Sequence, residues 1–380
     1  MAANIATPDT EALTRELVEQ AVATARLAPS IHNTQPWHWR FDGRALTLHA
    51  EPDRLLGVVD PAGRQLLVSC GAALFHARLA LRAHGLDPTV VLLPDGPGHD
   101  QRDLDLTGRV PLARLTVTHR RPFEPLEAAL LAAVELRHTD RRPFEPRPLG
   151  DDVLTELRRA AEAEGAWLMS LHHVDQRINA SVLTARADWA EHIDPAYQAE
   201  LEAWSRPASG PGSTADDGIP RHAVVAANPN RASEFPPRDF DVLAGGPADG
   251  AAGADGAAGA DGAAGVDGAS AAGAAGLSSA GAGVERPDVV LLGTSSDRPV
   301  DQLIAGQALA RVLLAVTAHG AAASPLGQPV DIDADRVLMR QMLNIPGDVQ
   351  MILRVGFPTP GAEPLRPTPR RALADILTVA

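Results

Sequence analysis

Residues 71–85 and 306–320 align without a gap and agree at eight of fifteen positions. Helical periodicity in an alanine-rich chain accounts for some of the shared Ala and Leu. It does not account for the glycine that opens each segment (Gly71, Gly306) or the His-Gly pair that closes it (His84 and Gly85, His319 and Gly320). A repeat of this kind predicts two related halves. Each half supplies one central helix, and the two helices pack on each other.

The rest of the chain fits around those helices. Leu13, Leu17, Val18, Ala21, Val22 and Ala25 recur at helical spacing and Pro29 ends the run. A hairpin is expected across Asp42-Gly43, with strands from Trp37 to Phe41 and from Arg44 to Ala50. Helices are expected over 64–84, 127–135, 153–164, 176–204 and 302–319, and strands over 90–93, 167–171, 289–292 and 349–355. Between about 245 and 283 the chain is almost only Gly, Ala, Asp and Ser, with glycine at every third position from Gly250 to Gly268. That run lacks proline and is too short for a collagen helix, so a disordered linker is expected. A shorter duplication is also present: residues 118–125 recur as 139–146 with one difference, but only the second copy has an arginine, Arg137, two residues before its threonine.

Composition narrows the function. All 34 cations counted as Lys+Arg are arginine, so any bound phosphate must be held by Arg, His or backbone amides. A net charge of −14 argues against nucleic acid and anionic membranes as partners. The single Cys70 excludes an intrachain disulfide and fits a reducing compartment. No leader and no membrane-spanning run is read from the sequence, which predicts a cytoplasmic protein. The histidines lack metal-ligand spacing, and no phosphate-binding glycine loop or nucleophile elbow occurs.

Two motifs carry chemistry. Residues 28–37 place Ser30, Asn33, Thr34 and Gln35 in a stiff loop between Pro29 and Pro36-Trp37, which offers a planar polar ligand several donors and acceptors. In residues 137–144, alternation along an extended segment turns Arg137, Thr139 and Arg141 toward one ligand. Guanidinium groups there suit phosphate, and a cation beside a flavin pyrimidine favours the anionic reduced ring.

Residues 28–37 resemble the APS-x-x-N-x-Q-P-W signature of FMN-dependent nitroreductases, and residues 137–144 resemble their R-x-[ST]-x-R-x-F motif. The chain also resembles the internally duplicated, dormancy-associated Acg group of actinobacteria. The resemblance implies an α+β nitroreductase-like fold, two halves fused as an intrachain pseudo-dimer with a lid insertion. Nitroreductase sites are built from both subunits of a dimer. This chain keeps the first motif in its first half and the second in its second half, which implies one FMN site in a monomer. Boundaries follow as 1–116 and 117–174 for the first half and the start of the second, 175–240 for the lid, 241–284 for the linker and 285–380 for the remainder. Ile178, Val182, Trp189 and Trp204 are the expected lid anchors.

By the same resemblance the FMN contacts are Pro29, Ser30, Asn33 and Gln35; Arg137, Thr139 and Arg141; Ser324, Pro325, Leu326 and Gly327 near the flavin ring; and Arg370 and Arg371 at the phosphate. No side-chain acid or base is required, because the flavin passes hydride from NAD(P)H to a nitroaromatic or quinone. Two rivals stay open: a non-enzymatic FMN store under a closed lid, and a flavin-free fold acting through protein contacts.

Overall fold

The computed structural model describes residues 13–94, 104–206, 216–220, 233–235 and 285–380. The expected linker lies outside the described residues, as does much of the expected lid.

Helix α1 (Arg15–Ala25) starts where the Thr14 hydroxyl accepts from Leu17 N, and it buries Val18, Ala21, Val22 and Ala25. Strands β1 (Trp37–Phe41) and β2 (Leu46–Ala50) form the hairpin. The Asp42 carboxylate accepts from Arg44 N and Ala45 N to close its turn. Helix α2 (Arg64–Ala83) follows, then β3 (Leu86–Leu92) and β4 (Pro111–Arg120), which pair antiparallel. Helices α3 (Pro125–Ala133) and α4 (Asp151–Glu162) lead to β5 (Trp167–Ser170). Next come α5 (Val174–Ile193), α6 (Pro195–Ala203) and the two-residue pair β6 (Ser205–Arg206) and β7 (Ile219–Pro220). The chain ends with β8 (Asp288–Thr294), α7 (Pro299–Ala318), β9 (Ala322–Leu326), α8 (Gln328–Asp331), α9 (Asp333–Leu343), β10 (Asp348–Gly356), α10 (Leu373–Ile376) and β11 (Leu377–Val379).

Two sheets share one connectivity. The first runs β11-β1-β2-β4-β3 and the second β5-β8-β10-β9. Without β11, the order within each is first, second, fourth, third, antiparallel throughout, with the central helix between the second and third strands. Adding 235 to the bounds of α2 gives those of α7. The repeat therefore marks the whole central helix, and Gly85 and Gly320 both end it with positive φ, 73° and 71°.

The two helices meet at their glycines. A Cβ added to Gly71 would lie 2.2 Å from the Leu303 carbonyl oxygen, and one added to Gly306 would lie 2.0 Å from the Val68 carbonyl oxygen. Val68 and Leu303 are themselves 235 residues apart, so the contact is reciprocal, as at a two-fold dimer interface. Both helices are long and apolar enough to cross a membrane by length and composition, which the sequence reading did not register. Here they are buried against each other in the main core.

β11 belongs by sequence to the second half but pairs in parallel with β1 of the first, Trp39 opposite Leu377. Arg371 anchors this crossing. Its guanidinium donates to the Gln35 and Trp37 carbonyls and pairs with buried Glu51, which also accepts from Arg109 at 2.8 Å. The first copy of the short duplication ends β4 and opens α3, where Arg121 and Arg82 both pair with Glu127. The second copy touches two segments of the second half: Thr139 bridges Ala323 of β9, and Phe144 bridges Pro358 just after β10.

The expected lid needs redrawing. Ile178, Val182 and Trp189 are exposed, while the opposite face of α5 (Ala180, Leu183, Ala187) is buried. Ala180 and Leu183 share a core with Phe235, Val330 and Met339, so α5 is built into the second half. Trp204 alone among the expected anchors packs inward, beside a cluster of Leu56, Val59, Tyr197, Leu201 and Ile219.

Candidate active site

The loop after α1 is strained. His32, Asn33 and Gln35 have φ of 46°, 56° and 49°, a left-handed conformation costing roughly 1–3 kcal/mol per non-glycine residue. Hydrogen bonds hold it in place. Ser30 Oγ accepts from Gln35 N at 3.0 Å, and Ser69 Oγ on α2 accepts from Ile31 N at 3.1 Å. The amides of Asn33 and Gln35 then reach outward. Asn33 Nδ2 donates to the Gly218 and Pro369 carbonyls, both at 3.1 Å. Gln35 Nε2 donates to the Asp216 carbonyl at 2.9 Å, and its oxygen accepts from Arg371 N at 2.9 Å. Three distant segments are joined at these two side chains.

Between the halves lies a cleft of about 870 Å³ whose walls include Pro29, Ser30, Asn33, Arg137, Thr139 and Arg141, with Ile219 and Pro220 over it and residues 363–368 and Arg370 along one side. A smaller cavity of about 110 Å³ adjoins it and shares Pro29, Ser30, Thr139 and Arg141. Its other walls include Gln65, Ser69, Pro325, Gly327 and Asp331. Nine of the thirteen expected contacts thus line one continuous space. The other four do not: Gln35 and Arg371 are buried behind it, Leu326 is fully buried, and Ser324 has a buried hydroxyl with no partner among the described residues.

Charge is unevenly compensated in the cleft. Arg142 pairs with Asp140 at 2.8 Å and donates to the Glu363 carbonyl at 2.7 Å. Arg26, Arg137 and Arg370 each present a buried Nε with no hydrogen-bond partner, and none pairs with a carboxylate among the described residues. Burial pushes Arg137 and Arg370 below the ordinary guanidinium value, and for Arg370 the charges of Arg137 and Arg26 push the same way. His76, behind the cluster, is pushed down to about 3 by burial and then by Arg137, so its ring is neutral; Nδ1 faces the Thr24 carbonyl at 3.3 Å. Desolvated cations without counter-ions are costly, and a bound phosphate supplies the missing charge with bidentate geometry.

Arg26 was not among the expected contacts. It follows the last turn of α1, two residues before the 28–37 motif but outside it, and only the fold brings it to Arg137 and Arg370. Gln65 and Asp331 escaped for the same reason: Gln65 Nε2 donates to Asp331 Oδ1 at 2.6 Å across 266 residues. At the positions on α7 equivalent to Gln65 and Ser69 stand Val300 and Ile304, so the polar wall occurs on one side of the pseudo-two-fold axis.

Fold and cleft define a class, an α+β protein whose two topologically equivalent halves enclose an arginine-lined cleft. Rv3131 of Mycobacterium tuberculosis, which bears a provisional name as an NAD(P)H nitroreductase, is 34% identical over 375 residues, covering 95% of this chain and 91% of its own. Acg of the same organism, similarly named, is 29% identical over 372 residues and 98% of both chains. The chain belongs to the nitroreductase-like family of Acg and Rv3131. No family model matches it. Among solved structures, the FMN-dependent nitroreductase NfnB from Mycobacterium smegmatis in complex with NADPH covers 66% of this chain and 97% of its own, at 14% identity and a TM-score of 0.35. A nitroreductase with bound FMN from Bacteroides fragilis gives the same score at 11% identity.

Proposed function

We propose that the cleft binds one FMN and that the chain is an NAD(P)H-dependent flavin oxidoreductase acting on nitroaromatic or quinone acceptors. The observation that supports this most is the uncompensated trio of Arg26, Arg137 and Arg370 on a cleft of flavin-accommodating size. The trio would hold the phosphate. Arg141 and Thr139 would meet the ring system, as would Pro325 and Gly327 from the second half. When bound, the flavin supplies hydride transfer; the chain supplies orientation, positive charge and access.

A second reading, an FMN store, is favoured by one feature. Residues 216–220 are fastened over the cleft by Asn33, Gln35 and an Arg54–Asp217 pair at 2.9 Å. The Glu200 carboxylate adds bonds from Val58 N and Val59 N at 3.1 and 2.9 Å. We place the movable lid at residues 194–206 and 216–220 and leave α5 in the body of the second half. Anaerobic stopped-flow reduction of the FMN-loaded protein by NADPH and NADH separates the readings. Rapid bleaching in the intact protein supports the enzyme. Slow bleaching that accelerates in Glu200→Gln or Asp217→Asn supports the store. Failure to retain any flavin would overturn both.

A further inference from the structure

The outward face of α5 has a symmetry that its inward face does not require. Val174 (68% exposed), Ile178 (39%), Val182 (57%), Trp189 (64%) and Ile193 (54%) lie with exposed Ala185 on one stripe of the helix. The spacings are four, four, three, four and four, so the stripe reads alike from either end. Val174 is as far from the helix midpoint as Ile193, Ile178 as Trp189, and Val182 as Ala185. Two charges beside the stripe obey the same rule, with Asp175 near one end and His192 at the mirrored position.

The other charges of α5 are occupied within the chain. Arg177 pairs with Glu234 at 2.7 Å and Arg186 with Asp335 at 3.2 Å, while Asp188 accepts from Gln328 at 2.9 Å. What remains is an uncharged stripe about 28 Å long at 1.5 Å per residue. Isolated exposed apolar residues need no explanation, but a contiguous stripe that includes a tryptophan does.

We propose that α5 is a docking face for a second copy of this chain, the two helices crossing antiparallel about a two-fold axis level with Leu183 and Thr184. Such an axis sets Val182 against Ala185 of the other copy, Ile178 against Trp189, and Val174 against Ile193. Each Asp175 then meets a His192. A palindromic stripe is what an isologous interface demands, since both copies must present the same surface; an unrelated partner imposes no such pattern. The alanine at the centre allows close approach, and a shallow crossing of about 20° keeps both ends of the stripe in contact. A lipid surface fits worse, because interfacial helices flank their apolar face with cations, whereas this chain carries −14 and no lysine. Completeness of the cleft within one chain, the ground for expecting a monomer, does not bear on this face.

Sedimentation velocity on the full chain over the micromolar range tests the proposal. The wild type is expected to show the mass of two chains. Val182→Glu and Trp189→Glu, at exposed positions, should leave circular dichroism unchanged and lower the melting temperature only as far as loss of the dimer accounts for. Each should raise the dimer dissociation constant at least about tenfold, because a carboxylate would be buried unpaired. Asp175→Arg alone should weaken the dimer, and adding His192→Glu should restore it, since the exchanged charges meet only in the antiparallel register. A single-chain mass throughout, a dimer indifferent to both glutamates, or a charge exchange without restoration would each overturn the proposal.

Discussion

At the scale of single residues, the cleft is organised by charges that lack a carboxylate counter-ion among the described residues; Arg370 is held by the neutral Asn33 Oδ1 at 2.8 Å. Arg137 and Arg370 repel each other in a desolvated place, so removing one costs the ligand and relieves the empty protein. Arg137→Gln or Arg370→Gln should lower FMN affinity about tenfold or more, from roughly 1.5–3 kcal/mol per charged hydrogen bond. The melting temperature of the flavin-free protein should hold or rise. Isothermal titration and thermal melts read the two effects separately, and a fall in both would mean the arginines are structural. The duplicated motif gives a matched control. Arg141→Ala should weaken FMN binding because Arg141 lines both cavities, while Arg120→Ala, at the end of β4, should not. Motif spacing made Arg137, Thr139 and Arg141 legible in the sequence, because alternate residues of an extended segment share a face. Arg26 and Asp331 were not legible, since each lies just outside a marked segment and only the fold turns it toward the site.

At the scale of elements, α2 combines an unusual cap with an unusual contact. Asp60 accepts from Gln65 N at 3.0 Å and Leu66 N at 2.8 Å, and burial pushes it up from 3.8 to about 7. Between those values the folded state holds the proton more tightly than the unfolded chain. Its stabilising contribution is therefore fully present below about pH 4 and lost as pH rises through 7. Asp60→Asn, which keeps one acceptor, should flatten that fall while costing about 1 kcal/mol of capping. Urea denaturation across the window measures it, and a wild-type profile as flat as the variant's would contradict it. Gly71→Ala and Gly306→Ala each drive a methyl into a backbone oxygen that cannot swing away, and each should cost roughly 1–3 kcal/mol. The double variant should cost less than the sum, because one separation of the helices accommodates both; strict additivity in thermal melts would argue that the contact is not shared. The helices themselves were readable from periodicity and repeat. The phase of α5 was not: Ile178, Val182 and Trp189 are the expected anchors over a cleft, whereas Ala180, Leu183 and Ala187 face inward, on a helix packed against α8 and α9. Strand β4 and the crossing strand β11 were missed, since a strand is fixed by distant neighbours as much as by its own residues.

At the scale of the whole molecule, the expectation is one FMN per chain. Among the described residues the polar wall of Gln65, Ser69 and Asp331 stands on one side, and the α7 counterparts of Gln65 and Ser69, Val300 and Ile304, are apolar. Flavin released on denaturation, measured against protein concentration, should give a ratio near one; a ratio near two would refute the reading. Removing residues 377–380 should leave β1 as an open edge and loosen the Arg371 tether, so flavin retention should fall and aggregation rise. The division into halves could be read in the sequence because the repeat records it, whereas the crossing of the C-terminus from one half to the other left no trace in composition or spacing. That crossing matters when the protein is scarce. A site assembled from two separate subunits empties as they are diluted and part. Here each half meets the other at a fixed effective concentration set by the chain between them, however few molecules a cell contains. Flavin occupancy should therefore survive dilution far below the point at which any pairing through α5 has dissolved.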